Sequence, residues 1–213
     1  GRNLTIRPDC LVHRIEFDGV RATRVRVESA GETFTVEGEE ILLCAGAVAS
    51  PQILMLSGVG PAAHLRETGV PVVKDLPGVG QNLRDHPILA VTWATKPEVG
   101  LDPLGPSHQT MLRYTADGSP LENDMIVYMN TFATERFNRG GDRMKPLGIR
   151  MIIGLDLEAG SGQPSLQSSD PHDQPLPDYN YLQEESDRAR LREAVHICVE
   201  LGEHEAWKEI IES

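Results

Sequence analysis

Residues 41 to 60 read ILLCAGAVASPQILMLSGVG, a stretch of 20 residues without a charge in which a strand pattern runs into a helix pattern through small residues. Ile41 to Ala45 is continuously apolar, the pattern of a strand covered on both faces. The run passes through small residues into a second apolar segment opened by Ser50-Pro51. Serine as N-cap and proline at the first helical position predict a helix there, with Ile53, Leu54 and Leu56 behind and Gly58 and Gly60 as its stop. A buried strand that enters a helix through small residues leaves backbone open to close approach. Plain helix-on-sheet packing and contact with a ligand both fit, since ligands of open α/β sheets sit at the carboxyl ends of the strands.

The flanking segments frame this element. "LTIRP", "LVHRIEFDG", "RATRVRVES" and "ETFTVEGEEILLCAG" are rich in β-branched residues with partial alternation, and Asp18-Gly19 and Ala30-Gly31 supply turn chemistry between them. They predict an antiparallel meander ending in the buried strand. Pro61 opens a second short helix, "PAAHLRETG", closed by Gly69. Beyond His86, "ILAVTWATK", "DMIVYMNTF" and "IRMIIGLDLEA" predict strands of a further sheet. Irregular pieces such as "PEVGLDPLGPS" and "RFNRGGDRMKP" separate them, and a long loop, "GSGQPSLQSSDPHDQPLPDYNYL", follows. Loops of that length usually line a site or an interface. The last segment, "EESDRARLREAVHICVELGEHEAWKEII", predicts a helix pair with Leu191, Ala194, Val195, Cys198 and Leu201 on one face. The order is that of an α+β or mixed α/β chain, with a boundary near residues 86 to 90 that divides it into 1–88 and 89–213.

A formal net charge of −12 argues against general binding of nucleic acid or anionic membranes, which need a basic face. No segment has the apolar length of a membrane span, and "GRNLTIRPDC" lacks the pattern of a secretory signal. Cys10, Cys44 and Cys198 are odd in number and widely spaced, which predicts buried, reduced thiols in a cytoplasmic protein.

Several groupings imitate sites. Ser57, Asp85 and His86 suggest a hydrolase triad, but "LSGVG" lacks the G-x-S-x-G frame. His196, Glu200 and His204 fall at helical spacing, yet Gly202 interrupts them and no metal site is expected there. Asp170, His172 and Asp173 read as turn caps, and Glu184, Glu185 and Asp187 as the acidic first turn of a helix. Trp93, Tyr128 and Phe132 suit a pocket wall or, more ordinarily, a core.

Gly46-Ala47, Ser50-Pro51, Ile53-Leu54 and Ser57-Gly58-Val59-Gly60 resemble, in order and spacing, the second signature of the glucose–methanol–choline (GMC) flavoprotein oxidoreductases. "GPAAHLRETGVPVVKDLPGVGQNLRDHP", "LQSSDPHDQPLPDYNYL" and "LREAVHICVELGEHEAW" resemble the family's downstream segments in colinear order, and the texture is choline dehydrogenase-like. The resemblance implies FAD as cofactor and oxidation of a small-molecule alcohol by hydride transfer to the flavin. It implies that Val12 meets the adenine edge through main-chain groups, and that Ala45 and Gly46 lie near the adenosine half of FAD. Asn82 and Asp85, in the family's N-L-x-D-H loop, are given a structural role.

No complete G-x-G-x-x-G motif occurs; "GVGQNL" at residues 78 to 83 has only its first two glycines. The family's catalytic histidine and its His or Asn partner are expected beyond Ser213, so no catalytic residue is assigned. The expectation is an internal fragment: residues 1–88 as a partial FAD-binding domain, and residues 89–213 as an antiparallel-sheet substrate domain with helices on one face. Such a chain would be inactive alone, would not retain FAD, and would need the N- and C-terminal segments of the same enzyme as partners. Choline is a doubtful substrate, because a quaternary ammonium wants an aromatic cage and aromatic residues make up only 5% of the chain. A larger or less cationic alcohol, such as a sugar or glycoside, suits it as well. The rival reading is a non-catalytic, family-derived binding module without flavin.

Overall fold

Turn chemistry and β-branched alternation build the first sheet. Strands β1 (Leu11–Asp18), β2 (Arg21–Ser29) and β3 (Glu32–Glu37) form an antiparallel meander in the order β1-β2-β3. Gly19 turns the first hairpin at φ +60°, and Ala30 and Gly31 turn the second at φ +52° and +80°, the left-handed pair that matches strand twist. The structure is a computed structural model that describes residues 3–101, 106, 108–134 and 146–212; at 109, 131–134, 146 and 147 it describes backbone only. "RFNRGGDRMKP" and part of "PEVGLDPLGPS" therefore lie largely outside the described residues, as does the Phe132 side chain.

The described residues gather into two units, Gly1–Leu83 with Ser161–Asn180, and Arg84–Gly160 with Tyr181–Ser213. In the first, helix α1 (Gly46–Leu56) packs along β1 and buries Ile53, Met55 and Leu56. It starts at Gly46, four residues before the expected Ser50. Ser50 is not its N-cap; its hydroxyl accepts a hydrogen bond from the Ala45 N–H at 3.1 Å, and Pro51 sits inside the helix. The early start needs Gly46, because its φ of +84° is a conformation that other residues adopt only with strain. The predicted stop is present. Gly58 turns at φ +81°, and a side chain there would put its Cβ 2.3 Å from the Pro71 carbonyl oxygen.

Ile41 to Ala45 forms no strand among the described residues. Leu42 is 85% exposed and Cys44 is exposed, against the expectation of burial on both faces. A strand needs a neighbour to take its main-chain hydrogen bonds, and no described segment pairs with this one. After α1, the two-residue strands β4 (Val59–Gly60) and β5 (Lys74–Asp75) pair in parallel around helix α2 (Ala62–Glu67), which begins after Pro61 and precedes Gly69 at φ +76°. Met55, Leu56, Leu65, Val70 and Leu166 close this core.

The second unit is a four-stranded antiparallel sheet in the order β6-β9-β8-β7, with β6 at Ile88–Ala94, β7 at His108–Tyr114, β8 at Met125–Thr134 and β9 at Pro146–Leu155. Strand β7, HQTMLRY, has no clear apolar alternation in its sequence; its place at the sheet edge explains how it forms without one. In the first unit the short strands β10 (Gln163–Ser165) and β11 (Leu176–Asp178) pair antiparallel, and Leu83 bridges to Gly162.

Helix α3 (Glu185–Glu203) covers one face of the four-stranded sheet, setting Leu191, Ala194 and Cys198 against Met125, Val127, Met151, Ile153 and Leu155. The helix runs through Gly202 instead of breaking there. A Cβ at Gly202 would meet the Trp93 indole at 2.6 Å, so glycine serves close packing. A 3-10 turn at Glu205–Trp207 stands where a second helix was expected, because His204 leaves helical geometry at ψ 143° and accepts from the Ala206 N–H through Nδ1. Leu201, expected on the buried face, is 39% exposed. No described helix is long and apolar enough to cross a membrane.

Candidate functional site

In the first unit, β1 is an edge strand, so one row of its main-chain groups is unpaired by the sheet. The Ile15 N–H uses that freedom to donate to the Ser57 hydroxyl at 2.8 Å. Val12 and Arg14 pair with adjacent residues of β2, Val27 and Arg26, so His13 is an extra residue forming a β-bulge next to Val12. Val12 is half-buried on this edge. Ala45 and Gly46 are exposed at the start of α1, which has no side-chain cap and no acidic residue in its first turn. A Cβ placed on Gly46 meets nothing within 4 Å. Together these supply main-chain donors and acceptors at an open edge, and small residues where a ligand can lie against backbone.

In the second unit the face of the sheet opposite α3 follows from the strand register, since directly paired residues share a face. Asn130 pairs with His108 on one side and Arg150 on the other, and Arg150 pairs with Thr92. The next row is Met111, Tyr128, Ile152 and Ala90. The His108 and Tyr128 rings lie 5.1 Å apart between centroids, which confirms their common side. A polar row thus runs beside an apolar one. The Arg150 Nε is buried with no hydrogen-bond partner, and no described carboxylate pairs with its guanidinium. Tyr128 belongs to this open face, whereas Trp93 packs on the α3 side.

The imitations resolve into structure. Ser57 is buried, its hydroxyl donating to the Ile53 carbonyl at 2.5 Å while accepting from Ile15, so it serves as a joint between α1 and β1. Asp85 accepts from the His86 N–H at 2.9 Å, and Asn82 adopts φ +62°. Asp170 accepts from the His172 N–H at 2.9 Å, as a turn cap does. Burial pushes the Cys198 thiol up to about 11, and burial followed by the charge of Glu193 pushes Tyr114 up to about 12. Among the described residues, one group of His and carboxylate side chains converges in the manner of a metal site: His13, Glu28 and His172. Sequence reasoning missed it because its members come from β1, β2 and a distant loop. The one available signal was His172 between the turn-cap residues Asp170 and Asp173.

A family model described as GMC oxidoreductase matches residues 1–88, and a second with the same description matches residues 159–212; together they cover about two-thirds of the chain. The oxygen-dependent choline dehydrogenase of Escherichia coli O17:K52:H18 is 34% identical over 222 residues, covering 93% of this chain and 40% of that protein. The enzyme of that name from Burkholderia cenocepacia (strain HI2424) is 36% identical over 224 residues, covering 93% and 39%. The chain thus spans about 40% of the length of these relatives. Among solved structures, formate oxidase superposes with a TM-score of 0.84 at 22% identity, over 98% of this chain and 45% of that one. Pyridoxine 4-oxidase from Mesorbium loti superposes with a TM-score of 0.80 at 24% identity, over 95% and 40%. The mixed α/β architecture is the one these structures share. Colinear motifs, two family models and the choline dehydrogenase relatives agree, and the chain belongs to the GMC oxidoreductase family, whose members are FAD-dependent.

Proposed function

We propose that this chain is an internal segment of an FAD-dependent alcohol oxidoreductase, in which residues 1–88, with Ser161–Asn180 gathered onto them, contribute to the FAD-binding domain and the rest of 89–213 to the substrate domain. The observation that carries the reading is Ile41–Ala45: an apolar segment without a strand partner among the described residues, feeding a helix at Gly46 that has no side-chain cap. Such a segment is completed by a sheet supplied from elsewhere in a longer protein, and the coverage of the relatives, about 40%, supports that. When bound, FAD supplies the acceptor for the hydride removed from the alcohol carbon. Val12 offers main-chain groups to the adenine edge, and Ala45 and Gly46 keep side chains out of the way of the adenosine. The chain alone lacks the remaining contacts and neither holds FAD nor oxidises alcohols. Its free thiols, one of them buried, support a reducing, cytoplasmic setting.

The open face of the second sheet forms one wall of the alcohol pocket. Arg150 places a positive charge there that no described carboxylate pairs with, and Tyr128 is the one described aromatic ring beside the His108 imidazole. A quaternary ammonium such as choline is repelled by that charge, and the described residues of this face offer it no aromatic cage. A polar, uncharged or anionic alcohol is favoured, through hydrogen bonds from Arg150 and Asn130.

The test is the intact mass and visible absorption spectrum of the purified chain, beside those of a longer polypeptide carrying the flanking family segments. A colourless 23.4 kDa chain and a yellow, alcohol-oxidising longer protein are expected. A flavin spectrum from the chain alone overturns the assignment of the cofactor contacts. A longer protein that folds yet stays colourless replaces the enzyme with a binding module.

A further inference from the structure

We propose that His13, Glu28 and His172 form a binding site for one divalent cation of the zinc class, which pins the loop between β10 and β11 onto the β1–β2 pair. All three residues belong to the first unit. The bulge in β1 sets His13 beside Glu28 of β2, and the loop brings His172 to the same carboxylate. Glu28 Oε2 lies 3.0 Å from His13 Nε2 and 3.3 Å from His172 Nε2, and one ligand atom from each residue falls within 4.8 Å of the others. Ligand atoms at the corners of a tetrahedron with bonds of about 2.0–2.1 Å stand about 3.3 Å apart, so the spacing suits a single small cation at their centre. The two imidazole rings meet edge-on, 5.7 Å apart at 69°.

The surroundings favour metal ligation over a chance meeting of side chains. His172 Nδ1 lies 2.9 Å from Asp170 Oδ1, which accepts its proton and leaves the Nε2 lone pair facing the trio. A carboxylate behind a histidine ligand fixes its tautomer and raises its basicity. Asp170 is held in turn, its N–H donating to Ser168, whose hydroxyl donates to Asp173 at 2.6 Å. Gln52 of α1 donates to the Asp173 carbonyl at 3.0 Å, so the loop reaches the site already shaped. Two neutral imidazoles and a carboxylate form a nitrogen-rich set that suits zinc-class ions, whereas calcium and magnesium take oxygen ligands. The side chains of His13, Glu28 and His172 are 16%, 27% and 54% exposed, which lets the ion enter and leaves room for a water as fourth ligand. Without a metal the same atoms make a hydrogen-bonded histidine–carboxylate cluster, and the experiment separates the two states.

The chain is stripped with a chelator and titrated calorimetrically with zinc chloride at about pH 7.5. One equivalent is expected to bind and to raise the melting temperature, with millimolar magnesium failing to compete. His172→Ala, in an exposed loop where folding is not at risk, is expected to weaken binding more than about 100-fold, as is His13→Ala. Asp170→Asn keeps the turn cap but removes the charge behind the imidazole; it should weaken zinc about 10- to 100-fold while leaving the melting temperature of the zinc-free protein unchanged. His204→Ala, remote in sequence and committed to its own turn, should bind as the parent does. Cobalt(II) should give an intense tetrahedral visible spectrum that His172→Ala abolishes. No saturable zinc binding, or binding that both His13→Ala and His172→Ala leave within about 3-fold, overturns the site and leaves a hydrogen-bonded histidine–carboxylate cluster.

Discussion

Arg190 on α3 donates through Nη1 to Asp124 at 2.7 Å, and Asp124 is fully withdrawn from solvent. The same guanidinium reaches Asp187 at 2.6 Å and the Leu157 carbonyl at 2.9 Å, while Ala116 and Ser119 donate to Asp124. One cation therefore ties the helix to both loops bordering the sheet. Replacing Arg190 with Met strands two buried carboxylates. The loss expected is about 3–5 kcal/mol, read as a fall in the urea midpoint. A loss below about 1 kcal/mol would show that water reaches the pair.

The same hub makes the second unit acid-sensitive. Burial by itself raises the pKa of each carboxyl, but hydrogen bonds outweigh it: from Ser119 and Arg190 for Asp124, and from the Ala159 and Gly160 N–H groups and Arg190 for Asp187. Both folded pKa values lie below the unfolded one, about 3.9. Their contribution is complete above that value and is lost as pH falls through the folded values, because the unfolded chain takes up protons first. Urea midpoints should hold between about pH 7 and 5 and fall below about pH 4. Asp187→Asn should start lower and fall less steeply.

Two left-handed glycines, one at each end of α1, separate strain from collision. Gly46 and Gly58 turn at φ +84° and +81°, yet a Cβ at Gly46 is unobstructed while one at Gly58 strikes the Pro71 carbonyl. Gly46→Ala should cost about 1–2 kcal/mol, the strain alone. Gly58→Ala should cost more, because the backbone carbonyl must also move. Thermal melts of the two variants compare them directly, and equal losses would contradict the packing at Pro71.

Thiol reactivity should separate Cys44 from Cys198. Cys44 is exposed; Cys198 is buried under the sheet, its pKa pushed up to about 11 by burial. An aromatic disulfide reagent at about pH 8 should label Cys44 within minutes and reach Cys198 only after denaturant is added. Prompt labelling of Cys198 would mean that α3 opens from the sheet.

Where local chemistry decides the backbone, the sequence was a good guide. Asp18-Gly19 and Ala30-Gly31 made the hairpins legible, and the spacing of Leu191, Ala194 and Cys198 marked the inner side of α3. It was a poor guide where partners are remote. Ile41–Ala45 has the composition of a buried strand, but its pairing depends on neighbours no local pattern supplies. Ser50-Pro51 looked like a helix start because the pair is usually one; the left-handed Gly46 lets α1 begin earlier. The open face of the second sheet became visible only through register, since Asn130, Arg150 and His108 lie on three strands. His13, Glu28 and His172 escaped for the same reason.

The two units are threaded through one another along the chain, and synthesis therefore meets them out of order. Residues up to Leu83 emerge first, but their unit is completed only by Ser161–Asn180, after much of the other unit has been made. The meander has sequence-local contacts and can form at once, whereas the seat for β10 beside Leu83 must wait for Gly162. Refolding should accordingly run in two steps, an early one confined to β1–β3 and a later one in which the β10–β11 segment docks. Between them the apolar surface around Met55, Leu56 and Leu65 stands without Leu166 to close it, and that interval is when the nascent chain is most exposed to aggregation.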